Sequence, residues 1–287
     1  MPTSFLIHCI PTSDVPVAQV QGPNIQAMFL RRMKAVDPAL MPSLHDTPGY
    51  RPFTLSPLGI YGEKGDFQGF RLPREHLIPE GRACYIRVTV LDDSLIPIVR
   101  QGIFHADPPT FLLGETTFSI GAEADTVETG RGWNITRSYP ELINHGLRYQ
   151  RRKKLHFRFL SPTGFRQGKL DLPVPVPRLV FQSYKARFEK FYQVEFLPDF
   201  EAQVEQYVGI AAMRRVNSAI MHTKHVRSIG FTGDVVFTIH PTAPPELAFQ
   251  VNLLTEYALF CGTGKKTVLG MGQTLVNEFC RHGEQMV

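Results

Sequence analysis

The order of strand-like and helical segments in the first half of the chain recurs in the second half. The first series is a strand over 4–10, a helix over 24–36, strands over 53–61 and 84–93, a short helix broken by Pro97, and a strand over 110–120. Side-chain alternation in residues 84–93 predicts a half-buried strand. The first helix has Pro23 in its first turn and one apolar face made of Ile25, Met28, Phe29, Met33 and Val36.

The second series begins with a strand at the end of the segment 151–163, followed by a helix over 177–192. Two strands within 224–240, around a turn at Gly233-Asp234, come next, and a helix over 244–260 and a last strand complete the series. Two copies of a βαββαβ unit therefore account for the chain, which places it in the α+β class. Residues 121–133 are small, polar and glycine-rich, so we expect a linker there. The predicted domains are residues 1–125 and 134–287.

The net charge and the cysteine pattern indicate which kinds of partner and which cell compartment suit this chain. The 31 Lys and Arg against 26 Asp and Glu give a net charge of +5, which suits either a polyanionic partner or an ordinary solvated surface. The four cysteines show no CxxC pair, which favours free thiols in a reducing compartment. The N-terminus lacks a signal-peptide pattern, and no apolar run reaches about 18 residues. We expect a cytoplasmic protein that contacts no membrane.

Two Gly-x-Gly pairs lie near the C-terminus, in the stretch CGTGKKTVLGMGQTLV. They comprise Gly262, Gly264, Gly270 and Gly272, with Lys265 and Lys266 between the pairs. The spacing fits neither a P-loop nor a dinucleotide-binding fingerprint. Backbone N–H groups in such a run can bind an anion, and the lysines would add charge. The alternative is a turn that lets a strand pack against a helix, and the motif by itself favours this alternative.

A loop histidine precedes a predicted strand in the stretch LHDTPGYRPFTL. His45 can act as a general base or acid near neutral pH, and Arg51, six residues later, can stabilise a developing oxyanion. These groups suffice for RNA cleavage by attack of the ribose 2′-hydroxyl, which requires neither metal nor cofactor. The alternative is a surface histidine that hydrogen-bonds its own loop. A metal site at His222 and His225 lacks further ligands nearby.

Together the two motifs resemble the CRISPR-associated endoribonucleases of the RAMP superfamily, the sixth-numbered Cas family. Residues 262–272 match the glycine positions of its Gly-h-Gly-x5-Gly-h-Gly loop, with Thr263 at a position that is apolar or small. Leu44, His45, Arg51, Phe53 and Thr54 match the histidine motif of the family. The segments LHFRFLSPTGFR and GFTGDVVFTI are also similar, so the resemblance runs from about residue 20 to residue 276.

The resemblance implies two tandem ferredoxin-like domains. The first would supply His45 and Arg51 for catalysis, and the second would hold the RNA. One departure is Leu30, which stands where some family members have a catalytic tyrosine. Either another group such as Tyr50 replaces it, or His45 with Arg51 suffices. The residues assigned to RNA binding are Gly262, Gly264, Lys265, Lys266, Gly270, Gly272, Arg214, Arg215, His222, Lys224 and Arg31.

The implied activity is cleavage of CRISPR repeat RNA in the precursor transcript, giving mature guide RNAs with a cyclic phosphate and a 5′-hydroxyl. The alternative is a non-catalytic RAMP-type subunit that binds guide RNA within a CRISPR effector complex. Candidate partners are accordingly the precursor and mature RNA, a CRISPR effector complex, and a second copy of the chain. His45 distinguishes the two functions, because a subunit that only binds RNA has no need of a loop histidine paired with Arg51.

Overall fold

The computed structural model describes residues 1–46, 49–62, 69–70, 76–121, 133–222 and 227–277, and for residues 45, 46 and 222 it describes the backbone alone. These residues form two compact units. The first consists of Met1–Thr136 together with Val268–Gly270, and the second contains the remaining described residues. The predicted linker lies mostly outside the described residues, since 122–132 are not among them.

The first unit is built on an antiparallel sheet with a ferredoxin-like strand order. Its elements are β1 (Thr3–Pro11), β2 (Val15–Pro16), α1 (Gly22–Val36), β3 (Phe53–Leu55), β4 (Gly59–Ile60), β5 (Leu77–Ile78), β6 (Cys84–Val90), α2 (Ile96–Val99), β7 (Thr110–Leu113), β8 (Thr116–Ile120) and β9 (Ile135–Thr136). The sheet order is β3-β6-β1-β8-β7, with β4 on β6 and β9 on β1. The βαββαβ series β1-α1-β3-β6-α2-β8 thus puts its first and third strands in the centre.

Helix α1 covers one face of this sheet, as its periodicity predicts. Ile25, Met28, Phe29 and Met33 are buried in the core of the unit, because they share one helical face. Val36, which the pattern places on the same face, is exposed at the last position of the helix. Val36 thus shares the face but not the burial, because α1 ends at this residue.

The prediction that residues 84–93 form a half-buried strand is also wrong. Every residue of β6 is buried, including the polar side chains that alternate with the apolar ones. Arg87 is 1% exposed; its Nε donates to Ser4 Oγ over 2.8 Å, and its guanidinium lies 4.7 Å from the Trp133 ring centroid. The second face of the sheet is therefore covered, and paired polar groups occupy it.

Two further segments of the first unit differ from prediction. Pro97 does not break a helix; it lies in the first turn of α2, where a missing N–H removes no helical hydrogen bond. Residues 110–120 form two strands, β7 and β8, where the pattern predicts one. Gly114, with φ +64°, supplies the left-handed backbone of the turn between them.

The second unit repeats the topology with longer strands. Its elements are α3 (Tyr139–Arg148), β10 (Lys154–Thr163), β11 (Phe165–Gln167), β12 (Leu170–Leu172), α4 (Pro177–Phe191), α5 (Phe200–Tyr207), β13 (Val208–His222), β14 (Arg227–Ile239), α6 (Pro245–Cys261) and β15 (Thr274–Val276). The sheet order is β13-β14-β10-β15, and β11 and β12 form a separate hairpin. The series β10-α4-β13-β14-α6-β15 is again ferredoxin-like, so the predicted fold of two tandem ferredoxin-like domains is confirmed.

The predicted turn at Gly233-Asp234 is wrong. Strand β14 runs through both residues, and β13, which sequence reasoning missed, pairs with it. Gly233 has φ +129° and faces a bulge, where a Cβ would collide with the backbone of Arg215. The glycine therefore accommodates an irregularity inside a ladder rather than a chain reversal.

The cysteines of the described residues are free and buried: Cys9, Cys84 and Cys261. Burial raises the pKa of the Cys84 and Cys261 thiols to about 12, so both stay protonated and unreactive near neutral pH. Cys280 lies outside the described residues. No helix in the described ranges is both long and apolar enough to cross a membrane.

Candidate functional site

The backbone at His45 belongs to a single π-helical turn, Pro42–Asp46, that follows α1. The chain reaches this turn through a short 3-10 turn, Pro38–Leu40, in which Asp37 Oδ1 accepts from the Ala39 N–H over 2.9 Å. Leu44 is 1% exposed and packs into the core of the first unit, so it anchors the residue next to the histidine. The π-helical turn is a rare geometry that recurs at functional sites. The side chain of His45 lies outside the described part of the chain.

Arg51 stands at the entrance to β3 and is half-buried. The next residue is fixed in the sheet, because the Pro52 carbonyl accepts from the Leu91 N–H over 2.8 Å. Tyr50 is half-buried as well, whereas Leu30 packs against the core of the unit as an ordinary apolar residue of α1. The structure thus places the backbone of His45 and the whole of Arg51 in one connection, between α1 and β3.

The glycine-rich stretch, residues 262–272, begins where α6 ends. Gly262 has φ +65° and donates its N–H to the Ala258 carbonyl. The following N–H groups are also paired: Thr263 with the Gly272 carbonyl over 2.9 Å, Lys265 with the Gly164 carbonyl over 2.9 Å, and Gly272 with the Pro162 carbonyl over 3.1 Å. These donors are therefore not available to an anion.

Close backbone packing explains why two of these positions are glycine. A Cβ on Gly264 would overlap the Gly164 carbonyl oxygen, and one on Gly272 would overlap the Thr263 carbonyl oxygen. Both residues also have a left-handed backbone, with φ +73° and +74°. The geometry supports the packing-turn interpretation. RNA binding by Gly262, Gly264, Gly270 and Gly272 stays a prediction, and it would use atoms other than the paired donors.

A buried polar network lies under this stretch. Tyr184 Oη shares a hydrogen bond of 2.6 Å with Thr263 Oγ1, which in turn lies 2.7 Å from Thr274 Oγ1. The Arg187 guanidinium, on a residue that is 3% exposed, donates to the carbonyls of Ser183 and Gly264. Burial raises the pKa of Tyr184, so its phenol remains neutral. Helix α4 therefore fixes the first Gly-x-Gly pair through side-chain hydrogen bonds.

The two lysines have different partners. Lys265 Nζ forms an ion pair with Asp171, whose other carboxylate oxygen pairs with Arg166 over 2.7 Å. Lys266 has φ +56° and donates from Nζ to the buried Ser228 Oγ over 2.6 Å. Partial burial, followed by the charge of Lys265, lowers the pKa of Lys266. Both cations belong to the second unit and are partly buried.

The hairpin of β13 and β14 carries the other predicted RNA-binding residues. Arg214 and Arg215 are exposed on β13, and Arg215 has φ +51° at the bulge. His222 ends β13 but its side chain is not described, and Lys224 lies outside the described residues. In the first unit Arg31 is exposed on α1. Neither unit gathers all the assigned residues into one described cluster.

Sequence reasoning missed three polar residues of this region. Asp171 and Arg166 face each other across the β11–β12 hairpin, and Arg187 lies in the middle of α4. No motif marks Asp171, because a three-residue strand gives too weak a pattern, and Arg166 ends the family-like segment LHFRFLSPTGFR without being assigned a role. Arg187 had a signal: it falls on the apolar face of α4, between the buried Tyr184 and Phe188. A cation on an apolar face indicates a buried partner.

Replacing Gly264 by alanine should destabilise the protein by about 3 kcal/mol, since the methyl group is both overpacked and strained in the left-handed region. Urea unfolding would measure the loss. Gly168→Ala is the matched control, because Gly168 has φ +58° with no atom within 4 Å of an added Cβ. That change should cost about 1 kcal/mol. Equal losses for the two variants would contradict the packing argument.

Comparison with solved structures supports the fold. A Cas6 product complex superposes with a TM-score of 0.79 at 24% identity, covering 96% of this chain and 100% of that chain. Thermus thermophilus Cas6 gives a TM-score of 0.69 at 22% identity, covering 96% and 98%. At these identities the likeness speaks for the fold alone.

Comparison with curated sequences finds relatives over part of the chain. The CRISPR-associated endoribonuclease Cas6 of Mycobacterium tuberculosis is 34% identical over 121 residues, which are 42% of this chain and 38% of that protein. The Cas6 of Streptococcus thermophilus is 27% identical over 123 residues, 42% of this chain and 49% of that protein. The chain thus matches less than half the length of either relative.

Family models match both halves of the chain. The model described as CRISPR Cas6 N-terminal domain matches residues 1–144, and the one described as CRISPR-associated endoribonuclease Cas6 matches residues 157–274. The first match includes the His45 segment and the second includes the whole glycine-rich stretch. Because the two matches span most of the 287 residues, the chain belongs to the Cas6 family of CRISPR-associated proteins.

Proposed function

We propose that this protein is an endoribonuclease that cleaves the repeat RNA of CRISPR precursor transcripts without a metal ion and releases mature guide RNAs. The observation that carries the proposal is the family match combined with the histidine motif, Leu44-His45 followed by Arg51 and β3. The relatives named as endoribonucleases support the activity and, with it, RNA as the substrate.

In the proposed reaction the ribose 2′-hydroxyl attacks the adjacent phosphate. The 2′-oxygen forms a bond to phosphorus while the bond from phosphorus to the 5′-oxygen breaks, which leaves a 2′,3′-cyclic phosphate and a 5′-hydroxyl. His45 transfers a proton, either by accepting it from the 2′-hydroxyl or by donating it to the leaving oxygen. Arg51 stabilises the negative charge that develops on the phosphate oxygens. Both residues belong to one connection of the first domain, so a short segment would supply the chemistry.

We assign RNA binding mainly to the second domain. Arg214 and Arg215 are exposed on a hairpin with arms of 15 and 13 residues, a shape that can follow a nucleic-acid backbone. Lys265 and Lys266 supply ammonium groups from within the glycine-rich stretch, and His222, Lys224 and Arg31 complete the proposed set. Phosphate contacts of this kind give affinity and position rather than sequence specificity.

Assembly and location follow from the same proposal. A CRISPR effector complex and a second copy of the chain are the proposed protein partners. The buried free thiols Cys9, Cys84 and Cys261 suit a reducing compartment, which supports action in the cytoplasm. Size-exclusion chromatography with light scattering would measure whether the chain alone is a dimer.

Removal of metal should leave cleavage intact. We expect the protein to cut the repeat RNA encoded beside its gene at a discrete position in EDTA, at the rate seen with Mg²⁺, because the groups assigned to the reaction are side chains. Resistance of the 3′ end of the upstream product to poly(A) polymerase, which persists after phosphatase alone and is relieved by acid opening of the ring followed by phosphatase, would identify the cyclic phosphate. A strict requirement for Mg²⁺, or a 3′-hydroxyl product, would overturn the mechanism. Binding of the repeat without cleavage would favour the non-catalytic subunit.

A further inference from the structure

The carboxylate of Asp171 lies between two cationic side chains, Arg166 and Lys265 of the glycine-rich stretch. Asp171 on β12 faces Arg166 on β11 across the hairpin, and Arg166 Nη1 lies 2.7 Å from Asp171 Oδ1. Asp171 Oδ2 pairs with Lys265 Nζ. One acidic side chain therefore bridges two basic ones, as the oxygens of a phosphate would.

The backbone holds these side chains together. The Lys265 N–H donates to the carbonyl of Gly164, the residue that immediately precedes β11. Lys266 is directed to Ser228 at the start of β14. The glycine-rich stretch is thus attached to two neighbouring elements: Lys265 meets the hairpin that carries Arg166 and Asp171, and Lys266 meets β14.

Electrostatics show that the four side chains interact. Hydrogen bonds from Lys265 and then Arg166 lower the pKa of Asp171, so it stays ionised near neutral pH. For Lys266, desolvation is the main cause of a lowered pKa; the charges of Lys265 and Arg166 act in the same direction, and Asp171 opposes them. Arg166 and Lys265 therefore share one anion, and Lys266 lies close enough to be influenced by all three charges. The Arg166 side chain is 60% exposed and that of Asp171 is 22% exposed, so solvent and a ligand can reach the cluster.

We propose that Arg166, Lys265 and Lys266 form a subsite for an RNA phosphate, and that Asp171 is an internal anion that competes with this phosphate and limits affinity. The inference rests on the proposed RNA-binding function. A phosphate that enters the subsite replaces the carboxylate as partner of Arg166 and Lys265, so part of the binding free energy is spent on breaking existing ion pairs. Asp171 thereby holds Lys265 in place before RNA binds, and the same ion pair lowers the affinity for RNA.

Asp171→Asn tests the competition, because it keeps the shape of the side chain and removes its charge. We expect the full-length variant to bind the cognate repeat RNA about 5-fold more tightly at about 0.1 M salt, with a plot of log K against log salt steeper by about one unit. A non-cognate single-stranded RNA of equal length should gain similarly, since phosphates carry no sequence information. Glu189→Gln is the control: it removes one acidic charge from an ion pair with Lys185 on α4. It should leave affinity and slope unchanged.

A double-mutant cycle completes the test. The gain from Asp171→Asn should disappear in Lys265→Gln, and Arg166→Gln alone should weaken binding. Unchanged or weaker binding by an Asp171→Asn protein that melts at the wild-type temperature would overturn the inference. If Asp171→Asn fails to fold, unchanged RNA affinity of Arg166→Gln would overturn it instead. Tighter binding by the variant, with no cleavage by the wild type, would uphold the subsite while refuting the proposed nuclease.

Discussion

His45→Ala should abolish cleavage of the cognate repeat RNA while leaving its affinity within about 3-fold of the wild type. General acid–base catalysis contributes about 10²- to 10⁴-fold, and a group that acts on the reacting proton has no substitute in alanine. Single-turnover kinetics with saturating protein would separate the chemical step from binding. The loss should therefore appear in the rate constant and not in the dissociation constant.

His105→Ala provides the matched control for this experiment. His105 belongs to the same domain and is exposed at the end of a helical segment, so its loss should change neither rate nor affinity. Cleavage by His45→Ala at the wild-type rate would remove the histidine from the reaction. A wild-type protein that binds the repeat and never cuts it would instead identify the chain as an RNA-binding subunit.

The sequence predicts an element correctly where its apolar periodicity is strong. It does not predict a strand whose limits depend on the strand that pairs with it. The predicted bounds of α1, α4 and α6 agree with the structure to within two residues at each end. An apolar face marks α1 and α4, whereas α6 is a long segment buried on nearly all sides with Pro245 in its first turn. β13 was missed and β14 was divided in two. Strand β13 carries exposed apolar residues, among them Ile210, Met213 and Ile220, so it lacks the alternation of a half-buried strand. Gly233 signals a turn in isolation, and only the bulged partner strand explains it.

In the candidate site, too, some features could be predicted from the sequence and others could not. The glycine positions could be read from the sequence, but not their role, since either a packed turn or an anion cradle requires glycine. The carbonyls of Gly164 and Pro162, which take up the N–H groups, come from a segment about 100 residues away. Asp171 likewise approaches Lys265 only through the fold. Short-range patterns thus identify which residues are unusual, whereas long-range contacts decide what each of them does.

Arg187→Met should cause the largest loss of stability among the substitutions considered. Arg187 is 3% exposed, and its guanidinium donates to the Ser183 and Gly264 carbonyls. Methionine retains the apolar volume of the side chain but cannot donate these hydrogen bonds. Hydrogen bonds from a charged donor contribute about 1.5–3 kcal/mol each, and the variant loses two of them, so we expect a loss of about 4 kcal/mol in urea unfolding. Because Gly264 directly precedes Lys265, the variant should also bind RNA more weakly under conditions where it remains folded.

Lys190→Met on the same helix separates this effect from a simple change of charge. Lys190 is exposed near the end of α4, so its replacement should alter the free energy of unfolding by no more than about 0.5 kcal/mol. If Arg187→Met unfolds at the same urea concentration as Lys190→Met, the guanidinium contributes no net stability to the glycine-rich stretch. If it is destabilised but binds RNA with wild-type affinity, the arginine supports the core of the domain without positioning Lys265. Weaker binding together with lower stability is the result expected of a residue that holds the first Gly-x-Gly pair in place.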